Sequence, residues 1–179
     1  MKKVLAILTV LAMVFAVAAA AVAEEPEATV LLGNVQFNMD MEQVMETLNL
    51  PNPQIEKEKT RGAVEFYELE YEKITGADGF TADIKYLFVG NSLVAFHYDM
   101  ADGTSYDEVK AALTTAYGAA VPFDAEKIGN GKYAIDDDGD LKNCKEMIET
   151  GKVTIVLEQD RDGDVDVTFL DPTAAYINQ

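Results

Sequence analysis

The sequence predicts an α+β protein in which an antiparallel sheet carries helices on one face. Apolar and polar residues alternate along two long hairpins, residues 80–100 and 153–169, as they do in strands with one buried face. Two shorter segments, 39–48 and 106–117, instead repeat their apolar residues at helical spacing. A sheet with one buried face needs a covering layer, and these two helices supply it.

These elements occur twice in the same order, so we predict two tandem helix-plus-strands repeats at residues 24–102 and 103–179. The segment 42–48 aligns with 107–113 at an offset of 65 residues, and each predicted helix precedes a pair of strands. Each half is too short to bury a stable hydrophobic core of its own. We therefore expect one globular unit with a shared core.

Both predicted helices are bounded by residues that start or stop a helix. Asn38 or Asp40 can cap the first helix, and Pro51 prevents its continuation. Ser105 opens a capping box ahead of the second helix, and Gly118 is expected in the left-handed conformation at its end.

The length of the loop in the first hairpin follows from the numbering of its core positions. Residues that pair across two strands lie on the same face of the sheet, so the even-numbered core positions of one strand must pair with those of the other. The loop must contain an odd number of residues, and we expect three. A two-residue turn at Gly90 and Asn91 would bring the wrong faces together. The core positions are all even-numbered: Phe80, Ala82, Ile84, Tyr86, Phe88, Val94, Phe96, Tyr98 and Met100.

The second hairpin obeys the same rule with odd-numbered core positions. A three-residue loop at 161–163, with its glycine in the left-handed bulge position, brings the matching faces together. This loop pairs Leu157 with Val167 and Ile155 with Phe169.

Weaker patterns complete the prediction. Residues 61–74 are expected to form a strand with a bulge near 66–67, where the apolar phase shifts. Residues 51–62 are expected to form a polar connection, 132–135 a short strand, and 141–149 a third helix.

Residues 1–23 have the three parts of a secretory signal peptide. Lys2 and Lys3 precede an apolar run, and small residues lead to an A-x-A site that ends at Ala23. The apolar run is near the lower limit for a membrane-spanning helix, and acidic rather than basic residues follow it. We therefore expect a bacterial protein that is cleaved after Ala23 and works in the periplasm or outside the cell.

The chain is strongly acidic. Its net charge is −18, and removal of residues 1–23, which contain two lysines and no acidic residue, changes it to −20. A charge of this sign argues against nucleic acids and anionic membrane surfaces as partners. It favours solubility, a basic partner bound in a salt-sensitive manner, or divalent cations.

Cys144 is the only cysteine, so no internal disulfide can form. It shares one face with Leu141 and Ile148 if residues 141–149 are helical. We interpret it as a small buried hydrophobe, with an intermolecular disulfide and a catalytic thiol as alternatives.

Two acidic loops are candidates for Ca²⁺ binding. One contains Asp160, Asp162 and Asp164, and the other contains Asp136 and Asp138, whose carboxylates are the oxygen ligands that Ca²⁺ accepts. Neither loop fits an EF-hand, which requires a glutamate at its twelfth position. Aspartate and glycine are also favoured in turns for backbone reasons. Metal ligation and turn formation therefore both stay open.

The sequence shows no constellation typical of catalysis. His97 is the only histidine, and it lies on the strand face opposite the predicted core. No nucleophile elbow and no glycine-rich phosphate loop accompany it in the sequence. We therefore assign no catalytic residue and no cofactor.

A contact surface is a further possibility on the predicted sheet of the first repeat. Its tyrosines and phenylalanines are expected mostly in the core. If the second face is open, Leu87, Val89, Leu93 and Ala95 would form an apolar surface for a partner.

The starts of the two helices resemble a known family. Residues 37–51, which begin Phe-Asn-Met-Asp-Met-Glu-Gln-Val, resemble the G-M-S-x-x-x-V-x-x-x-L-G-x-P opening of the β-lactamase-inhibitor-protein-like fold, and residues 103–118 resemble a second copy. This superfamily includes SmpA/OmlA envelope proteins of the BamE type. The resemblance covers about residues 32–171, with Asn38 in place of the family's glycine. It implies a tandem helix-plus-sheet layout, protein binding and no catalysis.

Three hypotheses follow for function. The first is a secreted, non-enzymatic binding module of the bacterial envelope or exterior, whose partner is a protein or envelope component of positive charge. The second is an extracellular structural or adhesion module stabilised by Ca²⁺ at its acidic loops. The third is a hydrolase whose site the sequence does not reveal. The oligomeric state stays open.

Overall fold

The computed structural model describes residues 35–61, 64–76, 79–135 and 141–174, and it confirms an α+β fold built on an antiparallel sheet. The predicted signal peptide lies outside these residues. The helices and strands in chain order are α1 (Met41–Leu48), β1 (Gln54–Arg61), β2 (Val64–Thr75), β3 (Thr81–Val89), β4 (Ser92–Met100), α2 (Tyr106–Tyr117), β5 (Val121–Pro122), α3 (Ala125–Ile128), a 3-10 helix (Gly129–Ala134), β6 (Cys144–Glu149), β7 (Thr154–Gln159) and β8 (Val165–Leu170).

The eight strands form one sheet in the order β1-β2-β3-β4-β8-β7-β6-β5. Every neighbouring pair is antiparallel. Strands of the N-terminal half fill one side of the sheet and strands of the C-terminal half fill the other. The two halves meet where β4 pairs with β8, the only pairing between them in the described part of the chain.

The main core lies between the sheet and the two longer helices, α1 and α2. Val44 of α1 and Leu113 of α2 are fully buried against this face. Aromatic rings from neighbouring strands fill the centre, where Phe96 of β4 stacks on Phe169 of β8 with ring centroids 4.7 Å apart. The two halves therefore share one core on this face, and the predicted aromatic core positions are confirmed.

The helix ends follow the predicted capping residues, with one exception. Asp40, not Asn38, caps α1: its carboxylate accepts from the N–H of Gln43 at 2.8 Å, and its own N–H donates to the Gln43 side chain at 2.9 Å. Ser105 caps α2 as predicted. Gly118 has φ 109° and ψ −172°, so it does not adopt the left-handed helical conformation that was expected.

The second hairpin forms as predicted. Leu157 pairs with Val167 and Ile155 with Phe169, and the N–H of Asp160 donates to the carbonyl of Asp164 at 3.1 Å to close the three-residue loop. Its glycine has φ 99°, a conformation that residues with a side chain rarely adopt.

The first hairpin departs from the prediction. Its loop is the two-residue turn Gly90-Asn91, since Val89 pairs with Ser92. An extra residue, Val94, forms a bulge in β4 and restores the predicted pairing from Ala95 onward. The parity argument was correct for most of the hairpin, but it omitted a bulge. As a result Leu93, not Val94, is buried in the main core.

The expectation that helices cover only one face of the sheet is wrong. α3 and the 3-10 helix pack on the opposite face of the C-terminal half, where Ile128 and Ile135 contact a second core with Met147 and Val156. β7 is therefore buried on both faces, and it has a continuous apolar run rather than alternation.

The segments 51–62, 132–135 and 141–149 were also predicted incorrectly. The first contains β1, a charged edge strand without the apolar alternation that identifies buried strands. The second belongs to the 3-10 helix. The third contains β6, and pairing with β7 places Cys144 and Ile148 in different cores, so the helical face that they were expected to share does not exist.

The bulge predicted at residues 66–67 of β2 lies elsewhere. In the pairing of β2 with β3, the register shifts between Tyr71 and Ile74, where Lys73 has φ 53°. A second register shift falls between Lys57 and Thr60 of β1, opposite Phe66. β2 itself keeps an unbroken register with β3 from Phe66 to Tyr71, so the apolar phase change near residue 66 is not a bulge in β2.

An ion pair fixes α2 to the edge of the sheet. The ammonium group of Lys110 lies 2.6 and 2.8 Å from the two carboxylate oxygens of Glu146 on β6. The hydroxyl of Tyr106 donates to the same carboxylate at 3.0 Å. These two donors, Lys110 foremost, lower the pKa of Glu146 below its usual value.

Replacing Lys110 with methionine should destabilise the fold by about 1 kcal/mol at neutral pH, because the pair is only partly shielded from water. A carboxyl group whose pKa is lowered by folding stabilises the folded state above its unfolded pKa, and this contribution is lost as the pH falls through the folded pKa. The difference between the variant and the wild type should therefore shrink in acid. Urea unfolding at several pH values measures it.

Lys145→Met is the matched control, because Lys145 is exposed on the same strand. It should change the free energy of unfolding by much less. A loss in Lys110→Met that does not depend on pH would mean that the methylene packing of Lys110, and not its charge, holds α2 in place.

Candidate functional site

The N-terminal half of the sheet presents a polar face opposite α1 and α2. α3 and the 3-10 helix cover this face of the sheet over the C-terminal half, and their core reaches Ala95 of β4 and Leu87 of β3. Beyond that core the face carries exposed or half-buried polar side chains, among them Asp83 and Asp99. Its side chains alternate with the buried aromatic residues of the same strands. We call this surface the acidic face, for the carboxylates described next.

Three aspartates lie in register across three adjacent strands of the acidic face, and the buried Glu158 of β7 continues the same line beside Asp166. Asp83 of β3 is the register partner of Asp99 of β4, and Asp99 is the register partner of Asp166 of β8. Directly opposite residues have Cβ atoms about 5 Å apart, and like charges at that distance destabilise a sheet. We call these three residues the acidic row. Such a row is an energetic cost that the fold itself does not require.

The electrostatic repulsion in the row is visible at its central member. The pKa of Asp99 is raised, first by partial burial and then by the charge of Asp166, while His97 acts in the opposite direction. Asp83 adds to the repulsion. A positive charge placed on the row would relieve this repulsion.

The acidic face continues into the loop between β7 and β8. The pKa of Asp164 is raised, mainly by the neighbouring charge of Asp160 and further by Asp102, which follows β4. Negative charge thus extends from the row to the β7–β8 loop.

The histidine lies beside the acidic row in a second row of side chains. Its Nδ1 is 2.9 Å from the hydroxyl of Thr168, and its Nε2 is 3.4 Å from a carboxylate oxygen of Asp166. These groups resemble a catalytic triad in type, but Thr168 is fully buried and its hydroxyl is out of reach of a substrate. The arrangement holds His97 in place against the strand.

An open cavity lies at the end of the acidic face. Its volume is about 470 Å³, within the range of small-ligand sites. The N–H of Lys73, in the β2 bulge, donates to the carboxylate of Asp83 at 2.6 Å and fixes its position. We call this the margin cavity, and it is lined by Lys73, Thr81, Ala82, Asp83, Asp99, Met100, Ala101 and Asp102.

The acidic loop at residues 160–164 has a structural explanation. One carboxylate oxygen of Asp160 accepts from the backbone N–H groups of Asp162, Gly163 and Asp164 at 2.8, 2.8 and 3.0 Å. This geometry is that of a turn closed by an aspartate side chain. Among the described residues no group of three histidine, cysteine or acidic side chains is placed to hold a metal ion. The other candidates, Asp136 and Asp138, lie outside the described residues.

The apolar contact surface predicted on this sheet is wrong. Leu93 is buried in the main core, and Ala95 is buried beneath the second core. Leu87 and Val89 are half-buried and pack against Val94 and Ala174 where the C-terminal segment folds back. The β4 bulge and the α3 segment, neither of which was predicted, remove these residues from the surface.

The three aspartates of the acidic row can be seen in the sequence, but the proximity of all three in the sheet cannot. Asp83, Asp99 and Asp166 occupy outward positions in three alternating strands, which any acidic protein could show. The predicted hairpin of β3 and β4 places Asp83 opposite Asp99, but only the pairing of β4 with β8, between residues about 70 positions apart, adds Asp166. No local pattern predicts that pairing.

Comparisons with known proteins leave the site to be judged on its own geometry. No protein-family model, no curated protein and no solved structure matches the chain. Within the part of the chain that the structure describes, no helix is long and apolar enough to span a membrane.

Replacing Asp99 with asparagine should stabilise the protein at neutral pH. A carboxyl group whose pKa is raised by folding disfavours the folded state once the pH exceeds its unfolded pKa, so removing the charge removes that penalty. Asp99 is only partly shielded from water, so solvent screening limits the gain to about 0.5 kcal/mol. Thermal unfolding from acid to neutral pH should show a gain that appears only as the pH rises.

Glu46→Gln, an equal change of charge on the exposed side of α1, serves as the control and should have little effect. Destabilisation by Asp99→Asn at neutral pH would show that this carboxylate makes a needed contact, and would contradict the view of the row as a strained element.

Proposed function

We propose that the chain is an exported, non-enzymatic binding protein, and that it takes a positively charged protein or cell-envelope component on its acidic face. The observation that carries the proposal is the acidic row. Three carboxylates are aligned across β3, β4 and β8, and Asp99 at their centre is exposed, although their mutual repulsion opposes folding. Strain that the fold does not need is commonly retained at functional sites.

The proposal includes the absence of catalytic activity. The histidine is held between Thr168 and Asp166, and the one hydroxyl near it is buried. Surface carboxylates in a row attract and orient a cationic partner without any reaction.

We also propose that the chain is a tandem form of the β-lactamase-inhibitor-protein-like fold. Asn38 and Gly103 stand at the family's glycine position in the two copies, and their φ values are 68° and 80°. The helices that follow begin at Met41 and Tyr106, the same offset of 65 residues. Each half supplies one longer helix and four strands, and both helices pack on the same face. These features support a repeat and a relationship to protein-binding folds.

Stabilisation by Ca²⁺ is the second candidate function. It is favoured by the raised pKa of Asp164, which results mainly from the adjacent charge of Asp160. A divalent cation at this loop would relieve the repulsion. A rise in melting temperature with Ca²⁺, absent with Mg²⁺ and absent in Asp164→Asn, would support this function over the first.

Export is tested on the protein as it leaves the cell. Expressed from its own start in a bacterial host, the chain should accumulate outside the cytoplasm with Glu24 as its first residue, because the A-x-A site ends at Ala23. Intact mass and N-terminal sequencing measure this. Retention of residues 1–23 in a membrane fraction would contradict cleavage and indicate an anchor.

Partner binding is tested by capture with immobilised residues 24–179 from producer-cell envelope and medium extracts. A basic protein or envelope component should be retained at low salt and released at high salt, because exposed charges are screened within a Debye length of about 10 Å or less. The variant with asparagine at Asp83, Asp99 and Asp166 should lose this component.

The matched control carries Glu42→Gln, Glu46→Gln and Glu108→Gln, which remove the same charge from exposed positions on α1 and α2, away from the acidic face. Equal retention by both variants would mean that net charge alone attracts the component, and the acidic face would lose its assigned role.

A further inference from the structure

We infer that the margin cavity is the anchor point of the acidic face, and that it receives one lysine or arginine side chain from a basic segment of a partner protein. This inference rests on the proposed function and specifies where on the acidic face the partner is held. Its basis is the agreement between the lining of the cavity, the charge around it and the chemistry of such a side chain.

The lining of the cavity suits a side chain that is apolar along its stem and charged at its tip. The exposed side chain of Ala101 contributes apolar surface, while Asp83, Asp99 and Asp102 contribute carboxylates. Lysine and arginine bury their methylene groups against apolar atoms and keep the charged group among polar partners. A simple metal ion would make no use of the apolar part, and the carboxylates are not grouped as metal ligands within the described residues.

The anchor is held in position before a partner arrives. The backbone N–H of Lys73 binds the carboxylate of Asp83 at 2.6 Å, and Thr75 and Thr81 share a hydrogen bond of 2.8 Å beside it. Binding then requires little ordering of the site, which lowers its entropic cost. The central carboxylate of the row, Asp99, is shared between the cavity and the row, so a cation in the cavity acts on both.

The charge beyond the cavity indicates an extended partner rather than a free small cation. Asp99 leads from the cavity to Asp166, and Asp102 leads toward Asp164 of the β7–β8 loop. A segment with several positive charges can place one in the cavity and others along this strip. Charge complementarity over several positions raises the association rate and the specificity together.

Lys73 at the rim of the cavity adds a restriction. This residue is one of those that line the cavity, and its positive charge disfavours a second positive charge at that point. One cationic side chain therefore enters the cavity, and the remaining charges of the partner follow the row.

The test uses the mature chain, residues 24–179, with a fluorescein-labelled hexalysine peptide as the probe and anisotropy as the readout. Asp83→Asn with Asp99→Asn removes charge from the cavity and should weaken binding about tenfold. Ala101→Leu keeps every charge but fills the cavity from its exposed lining, and it should weaken binding about fivefold. Glu42→Gln with Glu46→Gln removes equal charge from α1 and should change binding less than about twofold.

The two proposals fail in different ways. Wild-type binding of hexalysine that is unaffected by Ala101→Leu, but weakened by the loss of Asp83 and Asp99, would overturn the anchor and leave the acidic face as the binding surface. No binding of hexalysine by the wild type would overturn the proposed basic partner itself. Circular dichroism of each variant verifies that it is folded.

A measurement on the wild type keeps the inference testable if a variant does not fold. Titration with hexalysine should shift the backbone amide resonances of Ala101, Asp102 and Lys73 first. Shifts confined to residues outside the cavity would overturn the anchor. Spermidine or Ca²⁺ that shifts the same amides at lower concentration than hexalysine would overturn the protein segment as the occupant.

Discussion

The pairing of β4 with β8 is the constraint on which the rest of the structure depends. It joins the two halves of the chain into one sheet and brings Phe96 and Phe169 into contact at the centre of the shared core. The same pairing places Asp99 beside Asp166 on the opposite face. One register thus determines both the packing of the core and the alignment of the acidic row, because side chains alternate between the two faces of a strand.

The two faces of the sheet differ between its halves, and this difference locates the candidate site. In the C-terminal half, α3 and the 3-10 helix cover the face that the longer helices leave open, so β7 is apolar on both sides. In the N-terminal half the corresponding face carries charged and polar side chains. Lys127 of α3 pairs with Glu149 of β6 and helps to hold the cover in place. The acidic face is therefore the part of the sheet surface that the helices leave exposed.

Much of this fold could be predicted from residues whose local pattern and tertiary role agree. The helix at 106–117, the cap at Asp40 and the hairpin around Gly163 follow from spacing, capping chemistry and parity. β6 was predicted as a helix because short apolar runs fit both periods, and its pairing with β7 decides the outcome. β1 has no apolar face to reveal it, and the acidic row depends on contacts between distant parts of the sequence, which no local pattern encodes.

The position of β8 has a consequence for the timing of folding. This strand is the last one among the described residues, yet it lies at the centre of the sheet between β4 and β7. A polypeptide made from its N-terminus lacks its central pairing until residues 165–170 have left the ribosome, and pairings over such long sequence separations form slowly. The shared core, unlike the local hairpins, would thus be completed only after nearly all of the described residues have been made.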